Sequence, residues 1–330
     1  EVGASVCINC PDGTYASATG TSTCTSCPIG QFSASGQSAC TNCLAGTYAA
    51  STGTITCTAC PLGQSSTSGQ SSCTNCAAGT YAGSEGSASC AACLAGTYSG
   101  AGASACLPCS PGTVTTTSGL SVCTACTAGT YSNVGNTACS NCLAGTYSAA
   151  SASSCTACPV GQYSGAVASA CTNCAAGYFA ASTGTAICDA CDAGKYSAAG
   201  ASVCLQCDAG TYADTTATAT CKLCAVGQYS GAGATICVNC AAGTFAASTG
   251  TVTCAPCPIG QFSTSGQSAC SDCLAGTYAG STGTVTCSDC PMGKFSIAGS
   301  SECTNCSAGY FAPTTNTGPV CTPCPIGQYS

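Results

Sequence analysis

Residues 40–60 read CTNCLAGTYAASTGTITCTAC, a stretch that recurs with small changes along the whole chain. Two Cys-x-x-Cys pairs enclose it, a glycine follows the second cysteine of a pair by three residues, and an aromatic residue follows it by five. All 40 cysteines of the 330 residues fall in 20 such pairs, with the glycine in 20 units and the aromatic in 18. The exceptions are Ser65 and Val114. The sequence therefore predicts a tandem repeat array.

The repeat has two kinds of unit. A 13-residue loop such as LAGTYAASTGTIT after Cys43 alternates with a 12-residue loop such as PIGQFSASGQSA after Cys27. Asparagine precedes the second cysteine in seven of the ten odd-numbered units and in none of the even-numbered ones. The larger repeat is thus a dyad of about 33 residues in ten copies. We expect one continuous array over residues 1–330.

Composition limits what the chain can do. Only 13 residues are charged, histidine is absent, and the three cations are isolated lysines, whereas binding a phosphate backbone needs clustered Lys and Arg. A chain without histidine has no Ser-His or Cys-His dyad. The sequence also contains no run of about 18 apolar residues, the length needed to span a membrane. The cysteine content is typical of a disulfide scaffold outside the cell. We expect an extracellular or cell-surface protein that is neither an enzyme nor a nucleic-acid binder.

Residue types indicate how one unit folds. The glycine supplies a turn with positive φ, and the aromatic is expected to lie against a disulfide of the neighbouring unit. The alternation in Thr54–Thr56 and in residues 251–253 favours a short strand. The predicted fold is a small disulfide-rich repeat array, an elongated rod or solenoid of short β-ribbons and turns with essentially no helix.

Other uses of the cysteines are less compatible with the sequence. Two Cys-x-x-Cys pairs 12 or 13 residues apart resemble a zinc site with four cysteine ligands, but ten such sites in a row, with no histidine and few cations, would be unusual. Thiol oxidoreductases carry one such motif at a helix start. The pair Asp189 and Asp192 is too sparse for calcium, which needs a dense set of oxygen ligands. No cofactor or metal is expected.

The unit CxxCPxGxYSxxxxxxxC resembles the cysteine-rich repeats of ephrin-receptor-like and tumour-necrosis-factor-receptor-like ectodomains, and is similar to cysteine-rich surface proteins of protists. The resemblance implies that each loop is closed by its own disulfide, although receptor modules have extra cysteines that this chain lacks. The residues alone leave open a crossed pairing of Cys7 with Cys24 and Cys10 with Cys27. The implied pairs are Cys10–Cys24, Cys27–Cys40, Cys43–Cys57 and Cys60–Cys73, continuing to Cys306–Cys321.

Own-loop pairing leaves Cys7 and Cys324 without partners in the chain. The residues after Cys324, PIGQYS, and those before Cys7, EVGASV, join into a 12-residue loop close to DAGKYSAAGASV after Cys191. We expect the array to continue head to tail, either as copies bonded from Cys324 to the next Cys7 or as one longer polypeptide.

The monotony of the units favours a structural function. We expect a subunit of an extracellular filament, coat or cell-surface appendage whose partners are copies of itself. The alternative is the stalk or ligand-binding ectodomain of a receptor or adhesin. Glycans are a further expected partner, with acceptors at one N-x-S/T sequon and in three threonine clusters. The candidate acceptors are Asn305, Thr115, Thr116, Thr215, Thr216, Thr314 and Thr315.

Overall fold

The computed structural model describes residues 6–313, 315 and 318–330. The chain groups into two compact units, the first comprising Glu1–Ala157 with Ser164–Ala170 and the second Cys158–Tyr163 with Cys171–Ser330. Both are built from the same element, a two-stranded antiparallel ribbon with two residues in each strand. That residues 1–330 form one continuous array stays a prediction.

The first compact unit contains nine ribbons within its described residues. Each pairs two consecutive strands, and the strands are numbered β1 to β18 in chain order. They are Thr14–Tyr15 with Thr25–Ser26, Gln31–Phe32 with Thr41–Asn42, Thr47–Tyr48 with Thr58–Ala59, Gln64–Ser65 with Thr74–Asn75, Thr80–Tyr81 with Ala91–Ala92, Thr97–Tyr98 with Leu107–Pro108, Thr113–Val114 with Thr124–Ala125, Thr130–Tyr131 with Ser140–Asn141, and Thr146–Tyr147 with Thr156–Ala157.

The second compact unit contains ten ribbons within its described residues, formed by strands β19 to β38 in the same manner. They are Gln162–Tyr163 with Thr172–Asn173, Tyr178–Phe179 with Asp189–Ala190, Lys195–Tyr196 with Leu205–Gln206, Thr211–Tyr212 with Lys222–Leu223, Gln228–Tyr229 with Val238–Asn239, Thr244–Phe245 with Ala255–Pro256, Gln261–Phe262 with Ser271–Asp272, Thr277–Tyr278 with Ser288–Asp289, Lys294–Phe295 with Thr304–Asn305, and Tyr310–Phe311 with Thr322–Pro323.

A tight turn precedes the first strand of each ribbon. In the first ribbon the Thr14 amide donates to the Pro11 carbonyl at 3.1 Å, and Gly13 has φ +80° at the third position of the turn. A type II turn requires positive φ there, which glycine adopts without strain. The recurring glycine is therefore the residue that reverses the chain directly after a cysteine.

Disulfides close the loops between the strands. Nineteen bridges join the second cysteine of one unit to the first cysteine of the next. Closing a loop of this size stabilises the fold by about 3 kcal/mol in the chain-entropy model. The described residues contain no helix. The predicted class, a helix-free disulfide-rich array of short ribbons, is confirmed.

The sequence misplaced one kind of strand. Thr54–Thr56 and residues 251–253 form no strand, and the last two residues of each segment are bends. The hydroxyl of Thr54 donates to the Ser51 carbonyl at 2.8 Å, which makes a local turn, and Thr251 does the same with Ser248. The strands lie instead beside the cysteines, because the bridge holds those residues next to the turn.

Candidate interaction surface

The interior of each unit consists of a cysteine and one small residue. The second cysteines from Cys10 to Cys290 are almost fully buried, and so are the residues six positions after a second cysteine from Ser33 to Ala312, for example Ala49 and Ser33 at 2% exposure. This position holds only Ala, Ser or Thr in all 20 units. That restriction is the sequence signal from which the core could have been predicted. The core is thus made of cystine and small side chains, and the aromatic rings lie half-buried at its edge.

Backbone hydrogen bonds join each unit to its neighbours. The amide of Gly46 donates to the Ser66 carbonyl of the next unit at 2.8 Å, and the amide of Gly53 donates to the Cys27 carbonyl of the preceding unit at 2.8 Å. Where the small core residue is serine, its hydroxyl adds a bond, as from Ser66 to the Thr47 carbonyl at 2.9 Å. These bonds use groups that every unit possesses.

Contact also reaches the second unit along. A Cβ atom added to Gly46 would collide with the carbonyl oxygen of Gly86, two units further on, and one added to Gly63 would collide with that of Gly102. In these pairs an odd unit packs against an odd unit and an even unit against an even unit. The recurring glycine is needed for this close approach as well as for its φ.

Aromatic rings of even-numbered units lie beside the bridge of the following unit. Phe32 and Leu44 line a cleft of about 270 Å³ with Cys57. Tyr163, Tyr178 and Ile187 line an equivalent cleft of about 240 Å³ with Cys188, in which Tyr178 is 38% exposed. A third set at the same positions is Phe295, Tyr310, Val320 and Cys321. The bridge is the neighbour that the sequence predicted for the ring.

The structure brings the predicted cysteine pairs together. Cys10 bonds to Cys24, Cys27 to Cys40, Cys43 to Cys57, Cys60 to Cys73 and Cys306 to Cys321. This is the own-loop arrangement and not the crossed one, and it leaves the bridged sulfurs unavailable to zinc. Among the described cysteines, Cys7 is an exposed thiol and Cys324 a half-buried one.

The proposed glycan acceptors differ in their environments. Thr115 is 1% exposed, and its hydroxyl accepts from the Gly96 amide at 2.7 Å. The prediction of Thr115 as a glycan acceptor is therefore wrong, because the hydroxyl is inside the unit. Exposed positions are Asn305, Thr116, Thr215, Thr216 and Thr315, whereas Thr314 lies outside the described residues.

Charged side chains are few and lie at the surface. Lys222 Nζ lies 2.8 Å from Asp214 Oδ1 and 5.8 Å from the centre of the Tyr212 ring. The hydrogen bond from Lys222 lowers the pKa of Asp214. Asp192, which forms the sparse acidic pair with Asp189, lies 3.4 Å from Lys195 Nζ. No group of three or more His, Cys, Asp or Glu suited to a metal occurs in the part of the chain that the structure describes.

One family model matches the chain, and its description is tyrosine-protein kinase ephrin type A/B receptor-like. The matches cover more than half of the chain, at residues 30–68, 63–97, 129–170, 227–264 and 260–297. A comparison with curated proteins returns no match. Within the described ranges no helix is long and apolar enough to cross a membrane. Disulfide-rich modules of this kind are typically structural or ligand-binding, and they indicate an extracellular or cell-surface location.

Proposed function

The chain belongs to the ephrin-receptor-like family of cysteine-rich repeats, and on that premise we propose that it is a structural subunit of an extracellular filament, coat or cell-surface appendage. Copies join head to tail in this proposal and are held by disulfides. The fold supplies a module that is covalently closed and repeated along the described residues. Such a module suits an extended extracellular material.

One observation carries the proposal: the same contact between neighbouring repeat units recurs within both compact units. The amides of Gly30 and Gly63 donate to the carbonyls of Ala49 and Ala82, at 2.9 and 3.0 Å, in the same way as Gly46 to Ser66. Because the bonds use backbone groups common to all units, a unit of a second copy offers the same partners. Such an interface favours open, non-closing association.

The disulfide rule supports a covalent joint. Every bridge runs from a second cysteine to the first cysteine of the following unit, and Cys324 is a second cysteine whereas Cys7 is a first one. A bond from Cys324 of one copy to Cys7 of the next would repeat this rule. The same bond would form inside one polypeptide if the array is longer.

The surface supports association too. Large apolar side chains are exposed at the same place in successive even units, as at Ile29, Leu62, Val226 and Ile259, each between 47% and 54% exposed. Charged residues make up only 4% of the chain. A nearly neutral surface with recurring apolar side chains opposes association weakly.

The test uses two single variants of the secreted chain. Cys7→Ser keeps only the Cys324 thiol and Cys324→Ser keeps only the Cys7 thiol. We expect the unaltered chain to form covalent ladders on non-reducing gels, each variant alone to stay monomeric, and an equimolar mixture under mild oxidation to form dimers that grow no further.

Two outcomes would contradict head-to-tail joining. Dimers of one variant alone would show that the thiols pair without regard to polarity. An unaltered chain that stays monomeric while Cys7 and Cys324 remain alkylatable would show that no joint forms.

The second candidate, a ligand-binding ectodomain, is favoured by the open aromatic clefts. Two of them carry an extra exposed tyrosine, Tyr178 at 38% and Tyr310 at 47% exposure. If they bind a ligand, the Tyr178→Ala, Tyr310→Ala double variant should lose binding to cells while keeping its disulfide ladders. Tyr329→Ala, which also removes an exposed tyrosine (96% exposed), is the control.

A further inference from the structure

Among the even-numbered units, whose rings precede the next bridge, one lacks the ring. The position five residues after the second cysteine is aromatic in all units except those of Val114 and Ser65. Val114 is an aliphatic residue that is buried, at 6% exposure. Ser65 is half-buried, and its Oγ lies 3.3 Å from the Sγ of Cys90. Because a bridged sulfur carries no proton, the serine hydroxyl is the donor.

The comparison with other units shows what Ser65 replaces. Phe32 shares a cleft with Cys57, and Tyr163 shares one with Cys188, so the ring of an even unit stands beside the outer sulfur of the next bridge. Ser65 occupies the same position relative to Cys90, which bonds to Cys76. A hydroxyl there leaves the sulfur without an apolar cover and gives it a hydrogen-bond donor.

We propose that, among the bridges that follow an even-numbered unit, Cys76–Cys90 is the preferred site of thiol–disulfide exchange, with small thiols and dithiols as its reactants. Cys90 is half-buried whereas Cys76 is 1% exposed, so the incoming thiolate attacks the sulfur of Cys90. A bond forms between the reagent sulfur and Cys90, the Cys76–Cys90 bond breaks, and Cys76 leaves as a thiolate that takes a proton from water.

A dithiol completes the reduction. Its second thiolate attacks its own bonded sulfur, the reagent becomes a cyclic disulfide, and Cys90 leaves as a thiolate. Two electrons have then passed from the dithiol to the bridge. The hydroxyl of Ser65 donates to the departing Cys90 sulfur, and a hydrogen bond to a thiolate favours its departure.

Opening this bridge would release one loop and leave the chain uncut. The loop between Cys76 and Cys90 contains Gly86, whose amide donates to the Cys60 carbonyl at 2.8 Å and whose own carbonyl lies against Gly46. Reduction therefore loosens the contact of this unit with the two units before it. The inference is independent of the proposed assembly, because it concerns a bridge inside the array.

The experiment follows individual bridges by alkylation. The thiols of Cys7 and Cys324 in the full native chain are first blocked with N-ethylmaleimide, the chain is exposed to graded dithiothreitol, and new thiols are trapped with iodoacetamide and located by mass spectrometry. We expect the Cys76–Cys90 bridge to open at least about tenfold faster than Cys109–Cys123, its counterpart one dyad later.

Two substitutions form a matched pair, each placing a residue that the array already accepts there. Ser65→Tyr restores the ring and should slow the opening of Cys76–Cys90 to the rate of its neighbours. Tyr98→Ser removes the ring that occupies the position of Phe32 and Tyr163 before the Cys109–Cys123 bridge, and should make that bridge labile. Ser65→Ala keeps the open approach but loses the donor, so attack by glutathione should persist while complete reduction slows.

The proposal is overturned if another bridge that follows an even-numbered unit opens first in the unaltered chain. It is overturned equally if Ser65→Tyr leaves the rate at Cys76–Cys90 unchanged.

Discussion

At the scale of single residues, Gly46 meets two demands that can be separated by experiment. Its φ is +89°, and a Cβ on it would strike the Gly86 carbonyl, whereas Gly20 has φ +82° with open space around it. Replacing either with alanine costs about 1 kcal/mol from φ alone. We expect Gly20→Ala to cost about that amount and Gly46→Ala about 3 kcal/mol or more, because the units must also move apart.

Hydrogen exchange measures both glycine variants. The Cys60 amide, which donates to the Gly46 carbonyl, reports on Gly46→Ala. The Cys27 amide, which donates to the Gly13 carbonyl at the ribbon whose loop contains Gly20, reports on Gly20→Ala. The opening free energy at Cys60 in Gly46→Ala should fall by more than the opening free energy at Cys27 in Gly20→Ala. Equal losses would mean that the contact with Gly86 contributes nothing.

A second residue shows strain that substitution would relieve. Val167 has φ +60° at a loop position where most units have glycine, and left-handed φ is unfavourable for a β-branched residue. We expect Val167→Gly to stabilise its loop by about 1 kcal/mol, measured at the Val167 amide, which donates to the Cys142 carbonyl. Val160→Gly replaces an exposed valine that does not have positive φ, and it should give no such gain. An equal change in opening free energy in both variants would show that the positive φ of Val167 does not destabilise its loop.

At the scale of elements, the ribbon β25–β26 should respond to pH. Lys222 lowers the pKa of Asp214 below its ordinary 3.8, so this carboxylate stabilises the ribbon above that pH and the effect is lost as pH falls. Asp214 raises the pKa of Lys222 above its ordinary 10.5, so that contribution is present below pH 10.5 and lost as pH rises further. Both groups are exposed, so the effect is small.

The expected profile of opening free energy at β25–β26 is therefore a plateau that falls at both ends. Ribbon β27–β28 is the control, because its cross-strand pair Gln228 and Asn239, 3.0 Å apart, is neutral. Asp214→Asn should make the two ribbons alike. A profile that keeps its shape in this variant would assign the pH dependence to other groups.

The elements also show what a sequence can and cannot predict. Ribbons and absent helices followed from cysteine density and glycine spacing, since both act locally. Thr54–Thr56 looked like a strand because β-branched residues alternate there, yet the strand lies at residues 58 and 59, next to a bridge. Ser33 is buried by the backbone of other units, with its hydroxyl donating to the Thr14 carbonyl. That burial depends on how closely neighbouring repeat units approach each other, and the sequence of one unit does not predict this distance.

At the scale of the molecule, the range of the contacts between repeat units determines how many units a single destabilising substitution can unfold. Within each compact unit, repeat units are bonded to their neighbours, and several also touch the second repeat unit along, so stability should behave as a sum of near-neighbour terms. Tyr48, the ring of ribbon β5–β6, tests this within the first compact unit. Tyr48→Ala removes the apolar area of a half-buried ring, and truncations of this kind cost about 3 kcal/mol where the ring is buried, less for a half-buried one.

We expect Tyr48→Ala to increase hydrogen exchange at β5–β6 and at the next two ribbons, and to leave β15–β16 unchanged. Tyr48→Phe, which keeps the ring as Phe32 and Phe262 do in their own units, should leave all of them protected. Disulfides on both sides of the changed unit, Cys43–Cys57 and Cys60–Cys73, limit the opening further. Loss of protection at β15–β16 in the alanine variant would show that the array unfolds as one cooperative body, and the near-neighbour description would then fail.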